Sequence, residues 1–335
     1  MHLLSIVSIG CGFLLLPFLA PSSPEATTPP GGRYIGAAMC KNCHNGADKG
    51  NAYDHWMGTP HAKAFENLAS DKAKEAAKKL GIDDPQKSEK CLKCHVTAYG
   101  VDKKEIKVSF KPEHGVQCEA CHGPSSLHVN DPHAYRPAIS RDSQDCRQCH
   151  MSGDLVAADG FIQHSDGNYG DLFPGKHAVL DCVDCHDPHA GVVAPRAARQ
   201  TFLRATCDGC HWQQARVQKP VHRIRVTCDD CHMPAMIQVA SSNPDIFQGD
   251  MPTHQVVINA EQIGQFAEDG SILPQIGLDF ACRQCHTPQG IGPALSDAVL
   301  LDVAQDYHTP QTAAAATTPG TEGAPTPAAA ATAQP

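Results

Sequence analysis

The sequence predicts a mainly α-helical chain with long loops and little or no β-sheet. Three observations lead there. Sixteen of the 17 cysteines fall into eight C-x-x-C-H motifs, each of which suits a single helical turn. Only 5% of the 335 residues are aromatic, so a core built from side chains alone would be thin. Glycine (27) and proline (26) interrupt what regular structure remains.

From the N-terminus, residues 1–26 read as an export signal. Leu3 to Ala20 is almost wholly apolar, and it is short for a spanning helix and interrupted by Pro17. No Lys or Arg precedes the run, and cleavage after either Ala20 or Ala26 is open. Left uncleaved, the segment would anchor the chain to a membrane. Cys11, the one cysteine outside the motifs, falls inside it. Residues 27–33 form a flexible lead-in.

The motifs follow. They are Cys40-Cys43-His44, Cys91-Cys94-His95, Cys118-Cys121-His122 and Cys146-Cys149-His150, then Cys182-Cys185-His186, Cys207-Cys210-His211, Cys228-Cys231-His232 and Cys282-Cys285-His286. C-x-x-C-H is the attachment signature of haem c. Two thiols three residues apart face one side of a turn and reach the two vinyl groups on one porphyrin edge. The adjacent imidazole then binds iron as the proximal ligand. Zinc ribbons and disulfides use paired cysteines too, but neither requires a histidine after the second one. With 20 histidines in 335 residues, eight such placements do not arise by chance. The expected cofactor is therefore eight haems c, and thioether attachment in an exported chain places the protein in a periplasm or outside the cell, the cell surface included.

Eight haems call for eight distal ligands. Removing the proximal histidines and His2 leaves eleven, whereas three of the methionines directly flank motifs. Bis-histidine ligation is the expectation, and it gives lower potentials than Met/His. The candidates are His61, His128, His164, His177, His189, His222, His254 and His308; His55, His114 and His133 rank last. Thr59 and Pro60 predict a helix start, running to Leu80 with Gly81 as its stop, so that His61, Phe65 and Leu68 share a face. His308 ends a second helix expected from Ser296. His177 and His222 closely precede motifs, and His128 and His189 follow proline turns.

The motifs divide the chain into two tetrahaem units, 34–155 and 156–308. A haem for every thirty or so residues makes the haems themselves the core. Gln238 to Ala260 alternates apolar runs with turn residues and suits a small hairpin. Residues 309–335 are Ala, Thr, Pro and Gly and read as a disordered tail. The formal charge is −9, and propionates make the loaded protein more acidic. Nucleic acid and anionic membranes are poor partners, a membrane entering only if the N-terminal segment stays uncleaved; a redox protein with a basic docking patch fits.

Residues 34–150 resemble the tetrahaem cytochrome c-554 family, electron acceptors of hydroxylamine oxidoreductase. The likeness rests on Tyr34-Ile35-Gly36, on Thr59-Pro60-His61-Ala62-Lys63-Ala64, on Gly115 through Pro124, and on the motifs at Cys40, Cys91, Cys118 and Cys146. It implies that His61 is a distal ligand, that His128 or His133 is another, and that the haem on Cys91 and Cys94 lacks a distal protein ligand. Residues 177–286 resemble the doubled C-x-x-C-H modules of larger periplasmic and outer-membrane multihaem cytochromes. Cys182 through His189 and Cys228 through Pro234 carry that likeness.

The function these features predict is electron transfer between redox partner proteins, other multihaem cytochromes among them, with no catalytic acid or base. The alternative is a reductase or oxidase of a small nitrogen or sulfur compound at a haem with an open position. No C-x-x-C-K motif marks such a haem, and none of six tyrosines stands out as a cross-link. A third reading is self-association through haem edges into a conductive filament.

Overall fold

The computed structural model describes residues 31–137, 139–150, 156–158, 161–163, 171–173, 175–191, 203–217, 222 and 226–309. The expected leader, most of the lead-in, the tail beyond Thr309 and His164 lie outside the described residues.

Short helices carry the motifs. In chain order they are α1 (Ala37–His44), α2 (Ala52–Met57), α3 (Ala64–Asn67), α4 (Asp71–Lys79), α5 (Glu89–His95), α6 (Glu119–His122) and α7 (Ser126–Asn130). There follow α8 (Ser143–Arg147), α9 (Cys182–Cys185), α10 (Cys207–Cys210), α11 (Trp212–Arg216), α12 (Cys228–His232), α13 (Leu278–Cys282) and α14 (Asp297–Gln305). Among the described residues no helix is long and apolar enough to cross a membrane.

The helix expected over 59–80 is two helices, with a turn at 60–63. The Thr59 hydroxyl donates to the Trp56 carbonyl, 2.7 Å away, and so closes the turn after α2 instead of opening an α-helix. The chain breaks again at Ser70, whose Oγ caps α4 by accepting from Ala73 N at 3.2 Å. A local cap outcompetes one continuous helix there. Gly81 does stop α4, at φ +67°. The second expected helix is α14, with Ser296 at its N-cap and His308 just past its end.

One small sheet is present, ordered β1-β2-β3-β4. The strands are β1 (Val156–Ala158), β2 (Phe161–Gln163), β3 (Ile237–Asn243) and β4 (Gln248–Met251). β1 and β2 pair antiparallel, β2 and β3 pair parallel with Ile162 opposite Ile237, and β3 and β4 form the antiparallel hairpin expected after Gln238. Residues of β2 and β3 contribute to an apolar core. Phe161, Ile162, Met236, Ile237, Ile276 and Phe280 are buried together, and Phe161 meets Phe280 edge to face at 5.6 Å. Because Phe280 lies on α13, this core holds the eighth motif in place.

A second organising segment is 115–119. Val116 N donates to the His61 carbonyl, and the Val116 carbonyl accepts from Trp56 Nε1 at 2.8 Å. Gln117 and Glu119 then cap the start of α1, which has no side-chain cap of its own. Ala37 N donates to Gln117 Oε1, and Ile35 N and Gly36 N donate to the Glu119 carboxylate. Glu119 is 2% exposed, and its carboxylate also accepts from Ser125 N at 2.9 Å. These are residues on which the c-554 resemblance rests, and their work is to join the first and third motifs.

Contacts also cross residue 155. Asp181 accepts from both Ser143 N and Ser143 Oγ, and Arg141 pairs with Asp184 at 2.8 Å.

Candidate functional site

Each motif closes one helical turn. The histidine N–H reaches back to the carbonyl of the first cysteine at 2.8 Å for His150 and His186, 2.7 Å for His211 and 3.0 Å for His122 and His286. Side-chain caps start several of these turns. Asp181 and Asp184 form a reciprocal capping box around α9, and Thr227 and Asp230 do so around α12. The turn places both thiols of a motif on one side.

The histidines then meet in pairs. His44 faces His128, with ring centroids 6.3 Å apart, and His150 faces His61 at 6.0 Å. His122 faces His189 at 6.2 Å, with the rings 5° from parallel. His186 faces His254 at 6.1 Å, His211 faces His177 at 5.8 Å, His286 faces His222 at 6.1 Å and His232 faces His308 at 6.0 Å. Every pair joins one motif histidine to one distal candidate. The spacing is chemically telling. A metal–imidazole bond is about 2 Å long and a ring centre sits about 1 Å behind its nitrogen, so two imidazoles on opposite sides of one iron have centres roughly 6 Å apart. The residues present thus fit bis-histidine haem. Among the described residues no three His, Cys, Asp or Glu side chains converge as a zinc site needs.

The remaining motif histidine, His95 of the second motif, has no ring opposite it among the described residues. His133, which sequence left open beside His128, faces no motif histidine there, and neither do His55 and His114.

Backbone carbonyls set the tautomers. Nδ1 of His95 donates to the Ala64 carbonyl at 2.9 Å, His232 to Val256 at 2.8 Å, His286 to Pro293 at 2.8 Å and distal His128 to Tyr135 at 2.8 Å. A proton fixed on Nδ1 leaves the Nε2 lone pair free, as binding to a metal would require. His254 differs: its Nδ1 is buried with no hydrogen-bond partner. Burial, with His186 and His150 nearby, pushes its pKa down to about 4, so the ring is neutral at ordinary pH, as a ligand must be. Its backbone is held by Asp171, whose Oδ2 accepts from Thr253 Oγ1 at 2.8 Å and His254 N at 3.2 Å.

The motifs lie against one another in a definite order. The first thiols of motifs one and three, Cys40 and Cys118, are within hydrogen-bonding reach, as are Cys146 with Cys182 and Cys207 with Cys228. Cys121 is near enough to Cys146, Cys210 to Cys185 and Cys282 to Cys231 to raise the pKa of the neighbouring thiol electrostatically. The run is therefore one, three, four, five, six, seven, eight. The second motif stands aside from it, with His95 next to His150 of the fourth.

Residues 39–123 match the family model described as cytochrome c554 and c-prime. This segment is cytochrome c-554-like. Cytochrome c-554 of Nitrosomonas europaea is 34% identical over 125 residues, 35% of this chain and 49% of that protein. The multihaem cytochrome MtrA of Shewanella baltica is 27% identical over 182 residues, covering 39% of this chain and 54% of its own length. The chain thus spans about half the length of the curated relatives it matches. Among solved structures, the octahaem sulfite reductase MccA of Wolinella succinogenes aligns at a TM-score of 0.46 and 15% identity, covering 85% of this chain and 72% of that one. The c-554-like segment contains the 115–119 clamp and three of the motifs; the relatives are multihaem c-type cytochromes, and haem c is the cofactor they share with this chain.

Proposed function

We propose that the protein is an octahaem c-type cytochrome that passes electrons between redox partner proteins outside the cytoplasm. The observation that carries this reading is the pairing of seven motif histidines with seven distal histidines at 5.8 to 6.3 Å. Haem c supplies a reversible one-electron change at iron and needs no substrate site for it. The chain's part is to hold and order the groups. Cys40 and Cys43, and the seven pairs after them, form the thioethers. His44, His95, His122, His150, His186, His211, His232 and His286 supply the proximal nitrogens. His61, His128, His177, His189, His222, His254 and His308 supply distal ones. The continuous run of neighbouring motifs supports transfer along the molecule, and its two ends, at Cys43 and Cys285, are where partners would meet it.

The test is direct. The mature protein should exceed the polypeptide mass by eight haems, and its pyridine haemochrome should report eight c-type haems per chain. A lower count overturns the reading.

The c-554 likeness, which implies an open position at the haem on Cys91 and Cys94, supports a second reading, conversion of a small nitrogen or sulfur compound at that centre. Electron paramagnetic resonance of the oxidised protein separates the two. Low-spin signals alone favour the carrier; a high-spin signal that changes with nitrite, hydroxylamine or sulfite favours the enzyme.

A further inference from the structure

Tyr307 touches the outer ligands of two successive centres. It lies just beyond α14, half-buried, with its N–H directed at the Ala304 carbonyl. Its Oη is 2.5 Å from Nδ1 of His222, and the two rings stack at 5.7 Å with 20° between their planes. The same phenol ring meets His308 at 4.9 Å and 80°. His222 faces His286 of the eighth motif, and His308 faces His232 of the seventh.

The direction of the hydrogen bond follows from these placements. If Nε2 of His222 is the nitrogen that serves iron, Nδ1 carries the proton and must donate. The phenol oxygen then accepts. An acceptor on Nδ1 holds the ring orientation and raises the basicity of the ligand, which favours the ferric state. His308 has a partner of its own, a hydrogen bond to the Gln214 backbone. Tyr307 meets it through ring packing.

We propose that Tyr307 is a positioning residue shared by the last two centres: it fixes the His222 tautomer and lowers the potential at the eighth motif by accepting the Nδ1 proton, and its ring packs His308 over the seventh. This rests on the octahaem reading above, and the experiment keeps the two apart.

The mature, haem-loaded full chain and its Tyr307→Phe variant would be titrated spectroelectrochemically and by electron paramagnetic resonance. Phenylalanine keeps the ring and removes only the acceptor. The expected result is unchanged haem content, with one midpoint moved upward by about tenfold in the ferric-to-ferrous ratio, about 59 mV for one electron. Tyr307→Leu removes the ring too and should disturb two centres. Full haem content with every midpoint unmoved in Tyr307→Phe overturns the proposal. Fewer than eight haems in the unaltered protein overturns the octahaem reading instead. Should Tyr307→Phe fail to load haem, proton exchange at His222 Nδ1 in the unaltered protein, labelled with ¹⁵N-histidine, decides. Slow exchange supports the bond, and exchange as fast as a free imidazole overturns it.

Discussion

Glu119 is the buried carboxylate on which the first and third motifs converge, and its substitution is a clean probe of the segment. Burial raises its pKa, and the N–H groups of Gly36, Ser125 and Ile35 pull the other way. In Glu119→Gln one oxygen becomes an NH₂ facing backbone donors that have nowhere else to turn. A buried donor left unmatched costs about 1–3 kcal/mol. The thermal midpoint of the loaded protein should fall by several degrees at unchanged haem content, and an unaltered midpoint would refute the clamp. At this scale the sequence revealed unequal amounts. The eight motifs and the helical turn each one forms were legible because their spacing is fixed. Seven of the eight distal candidates face a motif histidine, because histidine surplus and proline turns are local signals. Which distal ring meets which motif was not legible, since His189 reaches back to His122 and His61 forward to His150 across long stretches of chain. Glu119 and Tyr307 were also invisible, because nothing local distinguishes a buried acceptor from a solvated one.

At the scale of elements, the turn at 60–63 between α2 and α3 matters more than either helix. It brings His61 opposite His150 and leads into Ala64, whose carbonyl faces His95. Gly115 packs against this turn at φ +68°, and a Cβ there would lie 2.7 Å from the His61 carbonyl oxygen and 2.9 Å from Ala64 N. A residue other than glycine is strained in that conformation by of order 1–3 kcal/mol, before the clash is counted. Gly115→Ala should therefore push the turn away, disturbing the His61 and His95 centres together while leaving those of motifs five to eight untouched. Electron paramagnetic resonance would show this as altered low-spin signals from a minority of haems; an unchanged spectrum contradicts it. Thr59-Pro60 suggested the start of one helix running to Leu80, but the Thr59 hydroxyl closes the turn after α2 and Ser70 caps a separate start for α4. The sheet was less legible still. β2 has three residues, and its parallel partner β3 comes from far along the chain, so no periodicity marks the pair.

At the scale of the molecule the charge is unevenly shared. Residues 33–111 carry 15 Lys and Arg against 10 Asp and Glu, whereas residues 112–308 carry 12 against 24. The first span includes motifs one and two, and the second includes the other six. The run of neighbouring motifs therefore begins in a segment of excess positive charge and ends in one of excess negative charge, a polarity that the overall −9 conceals. Charge of this kind acts on encounter and not on fold, and salt weakens it beyond a screening length of about 10 Å at 0.1 M. It follows that small mediators of opposite sign should respond oppositely to salt. Reduction of the oxidised protein by a cationic viologen is attracted by the acidic span and should slow several-fold between about 10 mM and 0.5 M salt, the range over which screening sets in. An anionic reductant such as dithionite is repelled by the net charge and should speed up over the same range. Stopped-flow traces in the visible absorption band of the reduced haems would resolve both. If the two rates change in the same direction, the charge distribution does not steer encounters, and complementary docking at the acidic end loses its physical basis.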